Sequence, residues 1–144
     1  MTGEAIFLPM LATMTLTAVV WHYMYARRIP AMRRAGKSAQ TYTTPDKAVE
    51  YLSDEVNYPA YNLKNLFEVP TVYYGVCLYL FVSGNVDTAY VAAAWLFFLF
   101  RTLHSLVHCT RNIVMARFIL YSAAALALWF MLGRALILEL AAYI

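Results

Sequence analysis

The chain has 144 residues, of which 62% are hydrophobic and only 13% are charged, and its mean hydropathy is +0.57. A soluble domain of this length cannot bury so much apolar surface, so the composition excludes an ordinary soluble domain and favours an integral membrane protein. The net charge of +3 comes from an uneven distribution of Lys and Arg along the chain, and it gives no support for nucleic-acid binding.

The first of four long apolar segments covers about residues 5–26, close to the roughly 20 residues that a helix needs to cross a bilayer. Glu4 precedes it and the basic residues follow it, so we expect a retained span and not a cleaved signal peptide. A polar loop at about 27–58 comes next. In it, Thr44-Pro45-Asp46 predicts the start of a short surface helix over 46–56, with Thr44 as its N-cap.

Three more spans are predicted at about 61–83, 87–108 and 113–139. Pro59 marks the entry to the first of these, and Pro70 interrupts its start. Short connections of five residues or fewer place these three helices antiparallel. The sequence therefore predicts an all-α integral membrane protein, a single up-down four-helix bundle over residues 1–144.

Basic residues indicate the orientation of this bundle. Seven of them lie between the first apolar stretch and the one that begins at Phe67: Arg27, Arg28, Arg33, Arg34, Lys37, Lys47 and Lys64. The second connection has none, and the third carries Arg111. By the positive-inside rule, the first and third connections are cytoplasmic and both termini are external.

A stripe of polar side chains lies at the end of the third span. Arg101, His104, Ser105 and His108 follow the spacing i, i+3, i+4, i+7 and share one helical face. A charge at membrane depth costs at least about 3 kcal/mol, so such residues normally face the bundle interior, a partner or water. This face is the first candidate functional site.

Two further polar pairs lie at the same predicted depth. Asn65 and Glu68 are three residues apart, on one expected helical face near the cytoplasmic end of the second span. Arg117 and Tyr121 are four apart at the start of the last span. Because short connections bring these helices together, we expect the three groups to converge.

Two interpretations of this convergence are open. In one, Glu68 pairs with Arg101 in a structural network between the helices. In the other, the cations exceed the single carboxylate and hold an anionic ligand. A metal shared by His104 and His108 is not expected, because no H-E-x-x-H or Cys/His ligand set is present.

These motifs resemble the MAPEG family, the membrane-associated proteins of eicosanoid and glutathione metabolism, in its prokaryotic branch. The resemblance rests on Asn65-Leu-Phe-Glu68-Val-Pro70, then Asp87-Thr-Ala-Tyr-Val, then Arg101-x-x-His104-Ser105-x-x-His108. It implies a homotrimer of four-helix bundles, with glutathione bound between subunits near the cytosolic face.

The resemblance also implies roles for individual residues. Asn65 and Glu68 match the amide and carboxylate that hold the glutathione backbone, and Arg101 and His104 match the Arg-x-x-His segment of one eukaryotic member. Arg117 falls where an arginine stabilises the glutathione thiolate.

Three further positions complete the comparison. Tyr121 lies where a tyrosine follows that arginine by one turn, and His108 stands where the eukaryotic enzymes usually have a tyrosine. Tyr61 stands where their signature has an arginine, and Arg27 or Arg28 is then the candidate cation from the first helix.

The implied function is a glutathione-dependent transferase or peroxidase acting on lipophilic electrophiles that arrive from membrane lipid. Arg117, Tyr121 and His108 are its candidate catalytic residues. The alternative is a non-catalytic trimer that binds a lipid or an anionic metabolite, or that scaffolds a membrane partner; this alternative accounts for Tyr61 directly. The expected location is a bacterial inner membrane.

Overall fold

The computed structural model describes residues 3–143, and all regular structure in this range is helical. A 3₁₀ turn over Gly3–Ile6 leads into the first helix, and a second 3₁₀ turn covers Ala39–Tyr42. The six α-helices are α1 (Phe7–Arg34), α2 (Pro45–Tyr51), α3 (Asp54–Leu66), α4 (Val69–Val82), α5 (Thr88–Cys109) and α6 (Val114–Ala141).

Four helical segments are long and apolar enough to cross a membrane: Gly3–Arg34, Asp54–Val82, Thr88–Cys109 and Val114–Ala141. The chain is therefore an integral membrane protein, as its composition predicts. The second of these segments is not one helix, because it consists of α3 followed by α4.

The polar loop after α1 folds differently from the prediction. Thr44 is the N-cap of α2, as predicted, and its hydroxyl accepts a hydrogen bond from the Lys47 N–H at 3.4 Å. The predicted helix over 46–56 is wrong at its carboxyl end, because α2 stops at Tyr51 and α3 begins at Asp54. Acidic residues in the first turn of α3 favour a new helix start there. Pro59 accordingly lies inside α3 and does not mark its entry.

The break between α3 and α4 lies at Phe67 and Glu68. Pro70 accounts for it, because proline has no N–H to donate to the Leu66 carbonyl and its ring would clash with that carbonyl in a continuous helix. The expectation that Asn65 and Glu68 share a face of one helix is therefore wrong, since α3 ends between them. Glu68 is exposed on the outside of the single chain.

The apolar core lies on one side of this break. Its centre is a stack of Tyr73 from α4 and Phe97 from α5, whose ring centroids are 4.1 Å apart and whose planes differ by 16°. Both side chains are fully buried. Ala94 and Ala124 are also fully buried in this core, where small side chains let α5 approach its neighbours closely.

Asp87 ties the start of α5 to α6. As the N-cap of α5, its Oδ1 accepts from the Tyr90 N–H at 3.0 Å. Arg134 donates to both carboxylate oxygens of Asp87, at 2.9 and 2.5 Å, and this is the only ion pair within residues 3–143. The hydrogen bonds from Arg134 and, next, from the Tyr90 N–H lower the pKa of Asp87 to about 2.

This pair gives the fold a defined acid sensitivity. The pKa of Asp87 is lower in the folded protein than its ordinary value of 3.8. The stability that the carboxylate contributes is therefore complete above that value and is lost as the pH falls towards about 2. We expect Asp87→Asn to weaken this acid-induced loss of stability, because it removes the carboxylate but retains a good N-cap. Asp87→Ala removes the N-cap as well, so at neutral pH its free energy of unfolding should be about 1 kcal/mol lower than that of Asp87→Asn.

Thermal unfolding in detergent, followed by circular dichroism at pH 7 and between pH 4 and pH 2, measures both effects. The same acid dependence in the parent and in Asp87→Asn would contradict the role given to the carboxylate.

Candidate functional site

The polar face of α5, formed by Arg101, His104, Ser105 and His108, turns into the bundle. These four side chains are between 0% and 4% exposed, so the shared inward face that the spacing predicts is confirmed. α5 holds them at one end of the helix, beyond the apolar core around Phe97. A cation and two imidazoles are thus buried in one region of the bundle.

Arg101 is fully buried and is anchored by a backbone group. Its Nη2 donates to the carbonyl of Asn65, which the end of α3 leaves without a helical partner. The guanidinium also lies over the ring of Tyr121, with its Cζ atom 4.9 Å from the ring centroid. Its Nε and Nη1 atoms are buried and have no hydrogen-bond partner in the described part of the chain.

Glu68 does not pair with Arg101 within the single chain. Within residues 3–143 no carboxylate lies within ion-pair distance of Arg101. The predicted structural network, in which Glu68 neutralises Arg101, is therefore wrong for one chain. The physical reason is the helix break, which turns Glu68 outwards.

The two histidines contact each other and α6. His104 Nδ1 lies 3.0 Å from the backbone carbonyl of Arg117. Because a carbonyl only accepts, Nδ1 carries the hydrogen and Nε2 faces the interior without a partner in residues 3–143. The His108 ring packs edge-on against His104 at 5.4 Å between centroids, and both of its nitrogens are likewise buried and unpartnered.

Arg117 and Tyr121 bring α6 to the same site. Arg117 is half-buried, and its Nη1 donates to Oδ1 of Asn112 in the preceding loop. The Tyr121 ring lies 5.7 Å from the His104 ring, between centroids, and below the Arg101 guanidinium. The predicted convergence of the α5 and α6 groups is confirmed, whereas α3 contributes the Asn65 carbonyl in place of a carboxylate.

Two buried amides on α3 belong to this region and are absent from the sequence prediction. Asn62 accepts from the Ser105 hydroxyl at 3.4 Å and donates to the Cys109 sulfur at 3.5 Å. Asn57 accepts from Arg28 Nη2 at 2.9 Å, which links α1 to α3. Both amides are fully buried. The signal that could have found Asn62 is its spacing of three from Pro59 and four from Leu66, which gives all three one helical face.

The described residues contain no group of three or more His, Cys, Asp or Glu side chains arranged to hold a metal ion. The site is instead a cluster of nitrogen atoms around a buried cation. Five buried nitrogen atoms of Arg101, His104 and His108 have no partner within residues 3–143. The free guanidinium N–H groups of Arg101 suit a ligand with negative charge and acceptor oxygens, and the imidazole nitrogens that carry no hydrogen can accept from its N–H groups.

Comparison with known proteins gives a match to one family model and no match to an individual protein. No curated protein and no solved structure matches the chain. The model of the MAPEG family matches residues 6–137, which include the polar face of α5 and parts of all four membrane-spanning segments. Because the match spans nearly the whole chain, and because the sequence motifs resemble the same family, this protein belongs to the MAPEG family.

Proposed function

We propose that this protein is a glutathione-dependent transferase or peroxidase that acts on lipophilic electrophiles within the membrane. The observation that carries the proposal is the set of five buried, unpartnered nitrogens on Arg101, His104 and His108. Leaving a buried polar group without a partner costs about 1–3 kcal/mol. A bundle that retains several of them is therefore suited to a ligand that supplies acceptors for the guanidinium and a hydrogen-bond partner for each imidazole.

Glutathione fits this donor set chemically. It has two carboxylates, and the described site offers guanidinium and imidazole nitrogens but no carboxylate paired with them. In this proposal the Arg101 guanidinium donates to a carboxylate of the tripeptide, and His104 Nε2 accepts from one of its N–H groups. Asn65 and Glu68 contribute the amide and carboxylate that family members use for its backbone.

The family signature has an arginine at the position of Tyr61. We propose that Arg28 on α1 supplies this cation instead. Asn57 holds the Arg28 guanidinium at the contact between α1 and α3, while Tyr61 is 38% exposed. A charge-assisted hydrogen bond is worth about 1.5–3 kcal/mol, so the source of this cation matters for affinity.

The chemistry would divide between α5 and α6. Glutathione, when bound, supplies a thiol that reacts as its thiolate. Arg117 is a fixed cation whose guanidinium favours negative charge beside it. In this proposal His108 or Tyr121 donates a proton or a hydrogen bond to the leaving oxygen or the developing anion.

The proposed assembly is an up-down bundle that forms a homotrimer, with both termini external and the first and third connections cytoplasmic, in a bacterial inner membrane. The support for association is Glu68, which is exposed although it lies within a membrane-spanning segment. A carboxylate in that environment needs a cation or a donor from outside the single chain. A neighbouring subunit or the ligand between subunits would provide it.

We expect a mass of three chains for the protein in detergent, measured by multi-angle light scattering or native mass spectrometry. Glu68→Gln should weaken association or ligand binding without unfolding the chain, because the residue is exposed in one chain. A monomer that still binds glutathione would exclude a site shared between subunits.

Arg117→Ala tests the enzyme itself. We expect an intact trimer in which turnover of a generic electrophile falls about 10²-fold, the scale for losing one preorganised charge-stabilising group. The ultraviolet absorbance of the bound thiolate at neutral pH should disappear in the same variant. Arg111→Ala is the matched control, because it removes an exposed cation from the neighbouring loop and should change neither quantity.

The alternative function is a non-catalytic trimer that binds a lipid or an anionic metabolite, or scaffolds a partner. Tyr61 favours it, because the arginine of the family signature is missing there. Calorimetric titration of the purified protein with glutathione, followed by a conjugation assay, separates the two functions. Absence of binding and of a thiolate signal in the parent, with equal loss of stability in Arg117→Ala and Glu68→Gln, would support the alternative.

A further inference from the structure

Asn112 has an unusual backbone conformation in the loop between α5 and α6. Its φ of 53° is in the left-handed region, which asparagine and glycine adopt at low cost and other residues do not. Its N–H donates to the carbonyl of Val107 at 2.8 Å, which closes the end of α5. The conformation of this residue is therefore set by the turn itself.

The same turn directs the Asn112 side chain at Arg117. Its Oδ1 atom accepts a hydrogen bond from Arg117 Nη1. The backbone carbonyl of Arg117 is bonded to His104 on α5. The main chain of Arg117 is thus bonded to α5, and its guanidinium is bonded to the loop residue that closes the end of α5.

The acceptor that holds the guanidinium is uncharged. A carboxylate at the same place would bind the arginine more strongly, but it would also cancel much of its positive charge. The chain uses a carboxylate in that way at its one described ion pair, Asp87 with Arg134. At Arg117 it has an amide.

We infer that Asn112 is a positioning residue that orients the Arg117 guanidinium without neutralising it, so that the full charge of Arg117 acts on a bound thiolate. This inference rests on the proposed function and adds to it the residue that sets the acidity of the thiol. Asn112 itself need not touch the substrate.

Two variants separate orientation from charge. Asn112→Asp keeps the side-chain shape and an oxygen acceptor but adds a negative charge. Asn112→Gly keeps the left-handed backbone and removes the acceptor. Asn85→Asp is the control, because it adds the same charge at an exposed position in the connection between α4 and α5.

The measurement is the pH dependence of the thiolate absorbance of glutathione bound to the trimer. Asn112→Asp should raise the pKa of the bound thiol by about one pH unit or more, because a carboxylate beside the guanidinium offsets its field. Asn112→Gly should raise it as well and should lower turnover about tenfold, because the cation is no longer held in place. Asn85→Asp should leave both unchanged, and S-methyl glutathione, which has no ionisable thiol, should bind all the variants as it binds the parent.

The outcomes distinguish this inference from the proposed function on which it rests. A clear thiolate signal in the parent, with the same thiol pKa in Asn112→Asp and Asn112→Gly, would overturn the role of Asn112 and leave the proposed function standing. Absence of glutathione binding or of a thiolate signal in the parent would overturn the proposed function and this inference with it.

Discussion

The burial of Arg101 is the constraint on which the rest of the site depends. A guanidinium has five N–H donors and cannot lie inside an apolar bundle unless acceptors or aromatic faces surround it. The chain meets part of this need with the Asn65 carbonyl and the ring of Tyr121. Each of these contacts requires a specific neighbouring element, namely the end of α3 and the first turns of α6.

The helix break between α3 and α4 and the burial of Arg101 depend on each other. A continuous helix through Phe67 would use the Asn65 carbonyl for its own hydrogen bond and leave Arg101 without that acceptor. The break at Pro70 separates the Asn65 carbonyl from the Val69 N–H, which would be its partner in a continuous helix. The remaining donors of Arg101 have no partner within residues 3–143.

Much of this arrangement could be predicted from sequence because it depends on the spacing of residues along a helix and on the length of the apolar segments. The four apolar segments follow from hydropathy, and the inward face of α5 follows from the spacing of Arg101, His104 and His108. The Thr44 N-cap could also be predicted, because capping is a local interaction that a short motif indicates.

The parts that could not be predicted depend on backbone geometry or on the identity of one hydrogen-bond partner. Glu68 was expected beside Asn65 because the spacing is helical, and only the backbone at the break shows that the helix ends between them. Asn62 bonds to Ser105 and Cys109 across the bundle. Its spacing from Pro59 and Leu66 indicates a shared helical face, but it does not identify these partners. The left-handed conformation of Asn112 is equally invisible in a short polar loop.

The position of the break also divides the molecule along its length. The apolar core uses α1, α4, α5, α6 and the first 3₁₀ turn, and none of its residues comes from α3. The buried amides and the unpartnered nitrogens lie at the opposite end. The apolar packing and the buried polar side chains therefore lie in separate parts of the bundle. Because local stability depends on buried apolar contacts, we expect local opening of the structure to begin at the end that contains α3.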